Sequence, residues 1–176
     1  MCFSSIVINI CKRLISLYGN EKNIDGLLST YLKYYKINSN PAVAAQIIQL
    51  YGYKQQYPQL IIFLEETGSD DKILLDLYVN AKNYKKAFPL AKNIYDDTGE
   101  THYLGNSIIY EYESQKNKND KAFLSKISKK FEKVLEHDDA SLYLNYFGYI
   151  LIDHNVDVDK GMEYVKRALE QDPESS

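Results

Sequence analysis

A short phrase occurs three times in the first half of the chain and constrains the fold more than any other feature. The copies are Leu14-Ile-Ser-Leu-Tyr18, Ile47-Ile-Gln-Leu-Tyr51 and Leu74-Leu-Asp-Leu-Tyr78. Their closing tyrosines are 33 and 27 residues apart, and a further apolar residue follows six positions after each. Self-similarity at a spacing of a few tens of residues is typical of a repeat architecture. In such folds each repeat buries its apolar face on its neighbours.

The apolar residues follow helical spacing throughout the chain. Phe123, Ile127 and Phe131 form one stripe, and Met162 and Val165 begin another. No segment alternates with period two, so the pattern predicts an all-α protein without strands. The sequence predicts a single helical repeat domain over residues 1–176, built of about five antiparallel helix pairs that cover approximately residues 5–37, 41–67, 70–97, 101–137 and 140–171.

Capping residues mark several of the predicted helix ends. Asn40 precedes Pro41, and this order is typical of a helix start. Gly68 is suited to the left-handed position at a helix end. Asp139 and Asp157 are predicted to be N-caps of the last two helices.

The last repeat carries the most specific motif. Phe147-Gly148 on its first helix is followed by Gly161 and Ala168 on its second, and then by Asp172-Pro173. This arrangement resembles the tetratricopeptide repeat, in which small residues let two helices approach closely and bulky residues fill the space beside them. The resemblance implies an α-α superhelix, or solenoid, of the bacterial type. It also implies that the chain is an array in its own right or a fragment of a longer one.

The resemblance also implies a function and a surface. Proteins of this kind are non-enzymatic protein–protein interaction scaffolds that hold a peptide or partner helix in a concave groove lined by the first helix of each pair. Placed by the resemblance, the groove-facing residues are Lys12, Ser16, Gln49, Tyr53, Lys72, Asp76, Asn145, Tyr149 and Asp153. Lys12 and Lys72 suit the family's clamp for a C-terminal carboxylate. Ser16 and Asp76 depart from that clamp, so the clamp activity is not predicted.

Two other functions remain open at this stage. The chain ends just after a repeat boundary without a polar capping helix, which favours a structural or assembly subunit that self-associates through its repeat ends. The stretch Leu14–Asp25 also resembles the RNA-binding pentatricopeptide repeat. Later repeats do not keep that pattern, and the formal net charge of −3 is unlike that of a dedicated nucleic-acid binder.

Residues that would indicate other chemistry are scattered. His102, His137 and His154 have no ligand spacing, and the acidic pairs fall at predicted helix ends, where they suit the helix dipole. We therefore predict no metal, no cofactor and no enzyme activity. The stretch from Met1 to Ile10 lacks the positive start and the cleavage site of a signal peptide, and no apolar run is long enough to span a membrane. These features predict a cytoplasmic protein. The resemblance implies a protein or peptide partner, and the charge balance predicts no nucleic acid.

Overall fold

The computed structural model describes residues 2–173, with side chains from residue 5 onward. Within this range the chain forms ten α-helices and no strand, which confirms the predicted fold class. The helices are α1 (Cys2–Asn20), α2 (Ile24–Ile37), α3 (Pro41–Tyr53), α4 (Tyr57–Thr67), α5 (Asp71–Asn80), α6 (Tyr84–Thr98), α7 (Thr101–Ser114), α8 (Lys121–Leu135), α9 (Ser141–Asp153) and α10 (Val158–Gln171).

The helices divide between two compact units, Met1–Leu74 and Leu75–Ser176, with the boundary inside α5. In the first unit Ile47 and Leu64 are fully buried. In the second unit the rings of Phe131 and Phe147 stack with their centroids 5.0 Å apart, and both side chains are fully buried. The organisation of the whole chain as a single domain stays a prediction.

One backbone turn joins the two helices of four of the pairs. In each, the amide of the residue five positions on donates to the carbonyl of Tyr18, Tyr51, Tyr78 or Leu151. Within this turn, the amide of the preceding residue donates to the carbonyl three positions before it, as Lys22 does to Gly19. The two hydrogen bonds together form a Schellman motif. Its left-handed position is filled by Lys22, Gln55, Lys82 and Asn155. Leu151 is therefore the counterpart of the repeat tyrosines, and α10 begins one residue later after it than the other second helices do.

Each repeat tyrosine contacts the second helix of its own pair. A Cβ atom placed on Gly26 of α2 would lie 2.7 Å from the Tyr18 ring, so the ring packs directly against this glycine. The Tyr51 ring lies 6.4 Å from that of Phe63 on α4, measured between centroids. The ammonium group of Lys86 on α6 lies 5.5 Å from the centroid of the Tyr78 ring.

The last pair is held by a close approach of two backbones. A Cβ atom on Gly148 of α9 would lie 2.8 Å from the carbonyl oxygen of Gly161 on α10, and equally close to Cγ2 of Val165. A Cβ atom on Gly161 would meet the carbonyl oxygen of Gly148 at the same distance. The small residues that carried the family resemblance are thus in contact with each other.

The fourth pair is built differently, because residues 115–120 form a loop between α7 and α8 in place of the shared turn. Asp120 caps α8, and its carboxylate accepts from the amide of Phe123. The predicted caps Asn40 and Asp157 are confirmed. The prediction for Asp139 is wrong: Ala140 occupies the N-cap of α9, and its side chain makes no capping bond.

Candidate interaction surface

All nine predicted groove residues lie on first helices. Lys12 and Ser16 are on α1, Gln49 and Tyr53 on α3, Lys72 and Asp76 on α5, and Asn145, Tyr149 and Asp153 on α9. Asn145 is half-buried and the other eight are exposed. Because residues four apart share a helix face, each set forms a short stripe on its helix. Two large aromatics stand out on these stripes, since Tyr53 is 76% exposed and Tyr149 57% exposed.

In the second unit, the α9 stripe adjoins a tyrosine of α7. Burial, followed by the nearby Glu113, Asp153 and Tyr149, raises the pKa of Tyr112 to about 12. The Tyr112 hydroxyl lies 2.8 Å from Nε2 of His154, the residue after Asp153, so the end of α9 lies beside the end of α7. The surface of α7 and α9 therefore combines phenol groups with carboxylates.

Glu113 is the centre of a polar network on this surface. Its carboxylate accepts a hydrogen bond from the Tyr146 hydroxyl. It also forms an ion pair with Lys118, whose Nζ lies 2.7 Å away. Burial tends to raise the pKa of Glu113, but these two donors outweigh it and lower the pKa. Burial, followed by the hydrogen bond to Glu113, raises the pKa of Tyr146 strongly. The carboxylate is therefore held ionised and the phenol neutral.

His154 ties the same region to the α7–α8 loop. Its Nε2 lies 2.8 Å from the Tyr112 hydroxyl, and its Nδ1 lies 3.0 Å from Oδ1 of Asn119. An amide oxygen can only accept, so Nδ1 donates to Asn119 and Nε2 accepts from Tyr112. The Lys118 ammonium covers the Tyr112 ring at 4.4 Å from its centroid. These contacts fix the orientation of Tyr112 and hold the loop against the end of α9.

The sequence prediction named no residue of α7, although this helix contributes to the surface. Tyr110 of α7 stacks on Tyr84, with centroids 6.0 Å apart. Burial raises the pKa of Tyr110, and the predicted surface residue Asp76 is the next cause. A weaker fourth copy of the repeated phrase, Ile108-Ile-Tyr-Glu-Tyr112, would have indicated that this first helix contributes to the surface. Glu111 stands where the other copies have leucine, and a loop follows this copy in place of the short turn, so the sequence match is weak.

A further tyrosine is fixed where α9 crosses α7. The Tyr143 hydroxyl donates to the carbonyl oxygen of His102 at 2.9 Å, and its ring covers Gly105, where a Cβ atom would lie 2.3 Å from it. Burial, then the charge of Asp138, raises the pKa of Tyr143 to about 12. Tyr143 therefore positions α9 and remains a neutral phenol.

The chemistry available on these surfaces is recognition by hydrogen bonds, aromatic contact and charge. The stripe of the first unit carries Lys12 and Lys72, whereas the stripes of the second unit carry Asp76 and Asp153. Within residues 2–173 no group of three or more His, Cys, Asp or Glu side chains is arranged to hold a metal ion. None of the helices in that range is long and apolar enough to cross a membrane.

Similar proteins were found by structure and not by sequence. No protein-family model matches the chain, and no curated protein sequence matches it. The fold is similar to that of YrrB, a TPR protein with an unusual peptide-binding site, at 15% identity and a TM-score of 0.62 over 96% of this chain and 86% of YrrB. It is also similar to MamA from Desulfovibrio magneticus, at 12% identity and a TM-score of 0.60 over 100% of this chain and 99% of that one.

A second MamA structure gives the same result, with 15% identity and a TM-score of 0.59 over 95% of this chain and 92% of that chain. The similarity extends over nearly the full length of both chains in each case, so it concerns the whole array and not one repeat. Together with the glycine contact of the last pair and the turn shared by four pairs, it confirms the resemblance that the sequence predicted. The chain has the fold of the tetratricopeptide-repeat proteins.

Proposed function

We propose that the protein is a non-enzymatic interaction scaffold, and that the stripes on its first helices bind a peptide or a partner helix. The observation that carries this proposal is the exposure of Tyr53 and Tyr149 at predicted groove positions. Large aromatics on a surface are favoured anchors for protein partners because they bury much area at little entropic cost. Each lies among polar residues that can fix the partner's direction.

The charges favour different ligand chemistry in the two units. Lys12 and Lys72 suit acidic groups of a partner that meets the first unit. Asp153, close to Tyr149 and Tyr112, suits basic or amide groups of a partner that meets the second unit. Complementary charge of this kind contributes mainly to specificity and to the association rate.

The proposal can be tested with peptides selected from a displayed random library on the full chain. We expect Tyr149→Ala or Tyr53→Ala to weaken the selected peptides by about tenfold or more, as measured by fluorescence anisotropy. Tyr57→Ala is the matched control, because Tyr57 is an exposed tyrosine on the second helix α4. If Tyr57→Ala weakens binding as much as the other two, the assignment to first helices is wrong.

A second test concerns charge in the first unit. The double variant Lys12→Glu/Lys72→Glu should reduce capture of acidic selected peptides in a pull-down, while leaving the helical circular dichroism unchanged. Unchanged capture would remove these lysines from the binding surface.

We also propose self-association as a second candidate function, because α1 and α10, the first and last helices of the chain, expose apolar stripes. On α1 the exposed residues are Ile6, Ile10 and Leu17, and on α10 they are Val158, Met162 and Leu169. Each stripe has the helical spacing of a packing face. A contact of α1 on one copy with α10 on another would be heterologous, so it would build rings or open chains.

Sedimentation velocity over a range of concentrations tests this second candidate. We expect species larger than the monomer, which Met162→Glu should abolish. Ile62→Glu is the control, since Ile62 is 54% exposed on α4 and lies on neither stripe. A monomer at all concentrations excludes self-association through the ends.

A further inference from the structure

A groove of about 640 Å³ lies between α8 and the turn that joins α9 to α10. Its volume is within the range of ligand sites in proteins, roughly 300–1,000 Å³. Its α8 side is lined by Lys121, Ser125, Ser128 and Lys129, and Val156 lies on the side of the turn. None of the nine predicted first-helix residues lines the groove, although Asn119 and His154, which contact each other beside Tyr112, do.

The groove carries positive charge that the described part of the chain does not neutralise. No carboxylate among residues 5–173 lies within ion-pair distance of Lys121 or Lys129. The one carboxylate in the lining, Glu132, is paired with Lys160, whose Nζ lies 2.6 Å from Oε1. This is a local excess of positive charge in a chain whose formal net charge is −3.

A buried hydroxyl in the same lining has no partner. Ser128 Oγ is inaccessible to solvent and makes no hydrogen bond within the described residues. Buried polar groups are nearly always satisfied in folded proteins, and each exception calls for an explanation. Rotation of the Ser128 side chain toward the groove would let an acceptor oxygen of a ligand satisfy this hydroxyl.

The spacing of the lysines indicates the shape of the ligand. Lys121 and Lys129 are eight residues apart on one helix, which is about 12 Å along its axis. In an extended peptide, side chains four residues apart point to the same side and lie about 13 Å from each other. Leu124 and Val156 lie in the same lining and provide apolar contact for a side chain of the peptide.

We propose that this groove binds an extended acidic peptide segment of a partner protein, with carboxylates four residues apart held by Lys121 and Lys129. Ser128 donates to a peptide oxygen between them. The lining contains none of the nine first-helix residues that we propose as a binding surface.

The test uses the full chain and a labelled hexapeptide with glutamates at its first and fifth positions and leucine at its third. Its control peptide has glutamines at the same two positions. In fluorescence anisotropy at low salt we expect the acidic peptide to bind at least about tenfold more tightly than the glutamine peptide, and added salt to remove this difference. Equal binding of the two peptides would overturn the proposal.

Two variants locate the site. Lys121→Glu/Lys129→Glu should weaken the acidic peptide by about tenfold or more, whereas Lys33→Glu/Lys36→Glu, which makes the same charge change on α2, should have little effect. If both double variants weaken binding equally, the attraction is general and the groove is not the site. An oligonucleotide of similar charge that binds more tightly than the peptide would also overturn the proposal.

Ser128→Ala separates a ligand contact from a structural one. Removal of an unsatisfied buried hydroxyl should raise the unfolding midpoint of the free protein, because an unpaired polar group is costly to bury. The same variant should weaken the acidic peptide by about fivefold, because the ligand then loses one donor. If the variant lowers the midpoint or leaves peptide binding unchanged, Ser128 does not act as proposed.

Discussion

The last two helix pairs solve the same packing problem in opposite ways. In α9–α10, Gly148 and Gly161 bring two backbones together, so that a Cβ atom on either glycine would lie 2.8 Å from the carbonyl oxygen of the other. In α7–α8, the contact is made by side chains: Glu111 pairs with Lys126 and Lys130, and Tyr112 stacks on Phe123 with a centroid distance of 6.4 Å. The α9–α10 pair has the shared Schellman turn, and the α7–α8 pair has a six-residue loop in its place.

The difference shows what each solution requires of the sequence. Backbone contact tolerates no added atom, so the α9–α10 pair depends on two positions and closely follows the family motif. Side-chain contact tolerates variation in any one residue, and it leaves the loop free to change in length. The α7–α8 pair therefore hardly resembles the motif although it has the same arrangement of helices.

The largest effect should come from filling the glycine contact. Gly148→Leu places a side chain where even a Cβ atom would lie 2.8 Å from the Gly161 carbonyl oxygen, and we expect a loss of about 1–3 kcal/mol in the free energy of unfolding. Urea denaturation measures this loss. Gly52→Leu is the control, because a Cβ atom on Gly52 would have no neighbour within 4 Å. Equal stability of the two variants would show that α9 and α10 are not in backbone contact.

The side-chain solution is tested by removing one hydroxyl. Tyr112→Phe leaves Nε2 of His154 without its donor, and we expect a loss of about 1 kcal/mol in the free energy of unfolding. Amide hydrogen exchange should become faster in the loop of residues 115–120, since His154 also holds Asn119. Tyr149→Phe should change neither quantity, because Tyr149 is exposed. Loop exchange that is unaffected by Tyr112→Phe would show that the hydroxyl does not hold the loop.

The same contrast explains which parts of the fold could be predicted from the sequence. Asn40 and Pro41 predict the start of α3, and helical apolar spacing predicts that the chain is helical throughout. The glycine pair of α9–α10 was found because it matches a family motif. Gly26 and Gly105 were missed, because each accommodates a tyrosine ring at a position where the motif does not ask for a small residue. A glycine inside a helix is costly, so its presence alone is a signal of close packing.

The surfaces were less predictable than the helices. The family resemblance predicts which residues lie on the first helices. It cannot predict which side chains are fixed by hydrogen bonds such as those between Glu113 and Tyr146. The groove beside α8 depends on the loop of the atypical fourth pair, so no repeat pattern predicts it. Features that depend on contacts between distant residues require the folded structure.

A smaller effect should come from the ion pairs of α7–α8. The Glu111 side chain is only 12% exposed; burial tends to raise its pKa, but hydrogen bonds from Lys126 and Lys130 outweigh burial and hold the pKa below its ordinary 4.5. The contribution of these pairs to stability is therefore fully present above pH 4.5 and is lost as the pH falls through the folded-state pKa. Glu111→Gln should cost below about 1 kcal/mol at neutral pH, because both lysines are partly exposed.

Chemical denaturation at several pH values measures this contribution. The difference between wild type and Glu111→Gln should shrink as the pH falls below 4.5. Glu170→Gln on α10 is the control, because its pair with Lys166 is exposed on both sides and should contribute little to stability. A difference that does not depend on pH would mean that Glu111 acts through packing and not through its charge.

The smallest effect concerns the turn that α7–α8 lacks and the other four pairs share. Lys82 occupies its left-handed position with a φ of 53°, a conformation that is costly for a residue with a Cβ atom. We expect Lys82→Gly to raise the free energy of unfolding by about 0.5 kcal/mol, because relief of this strain exceeds the entropy that glycine adds to the unfolded chain. Lys82→Ala keeps the Cβ atom and should bring no gain. If alanine stabilises as much as glycine, the lysine side chain and not the backbone is the source of the cost, and the shared turn is not under strain at this position.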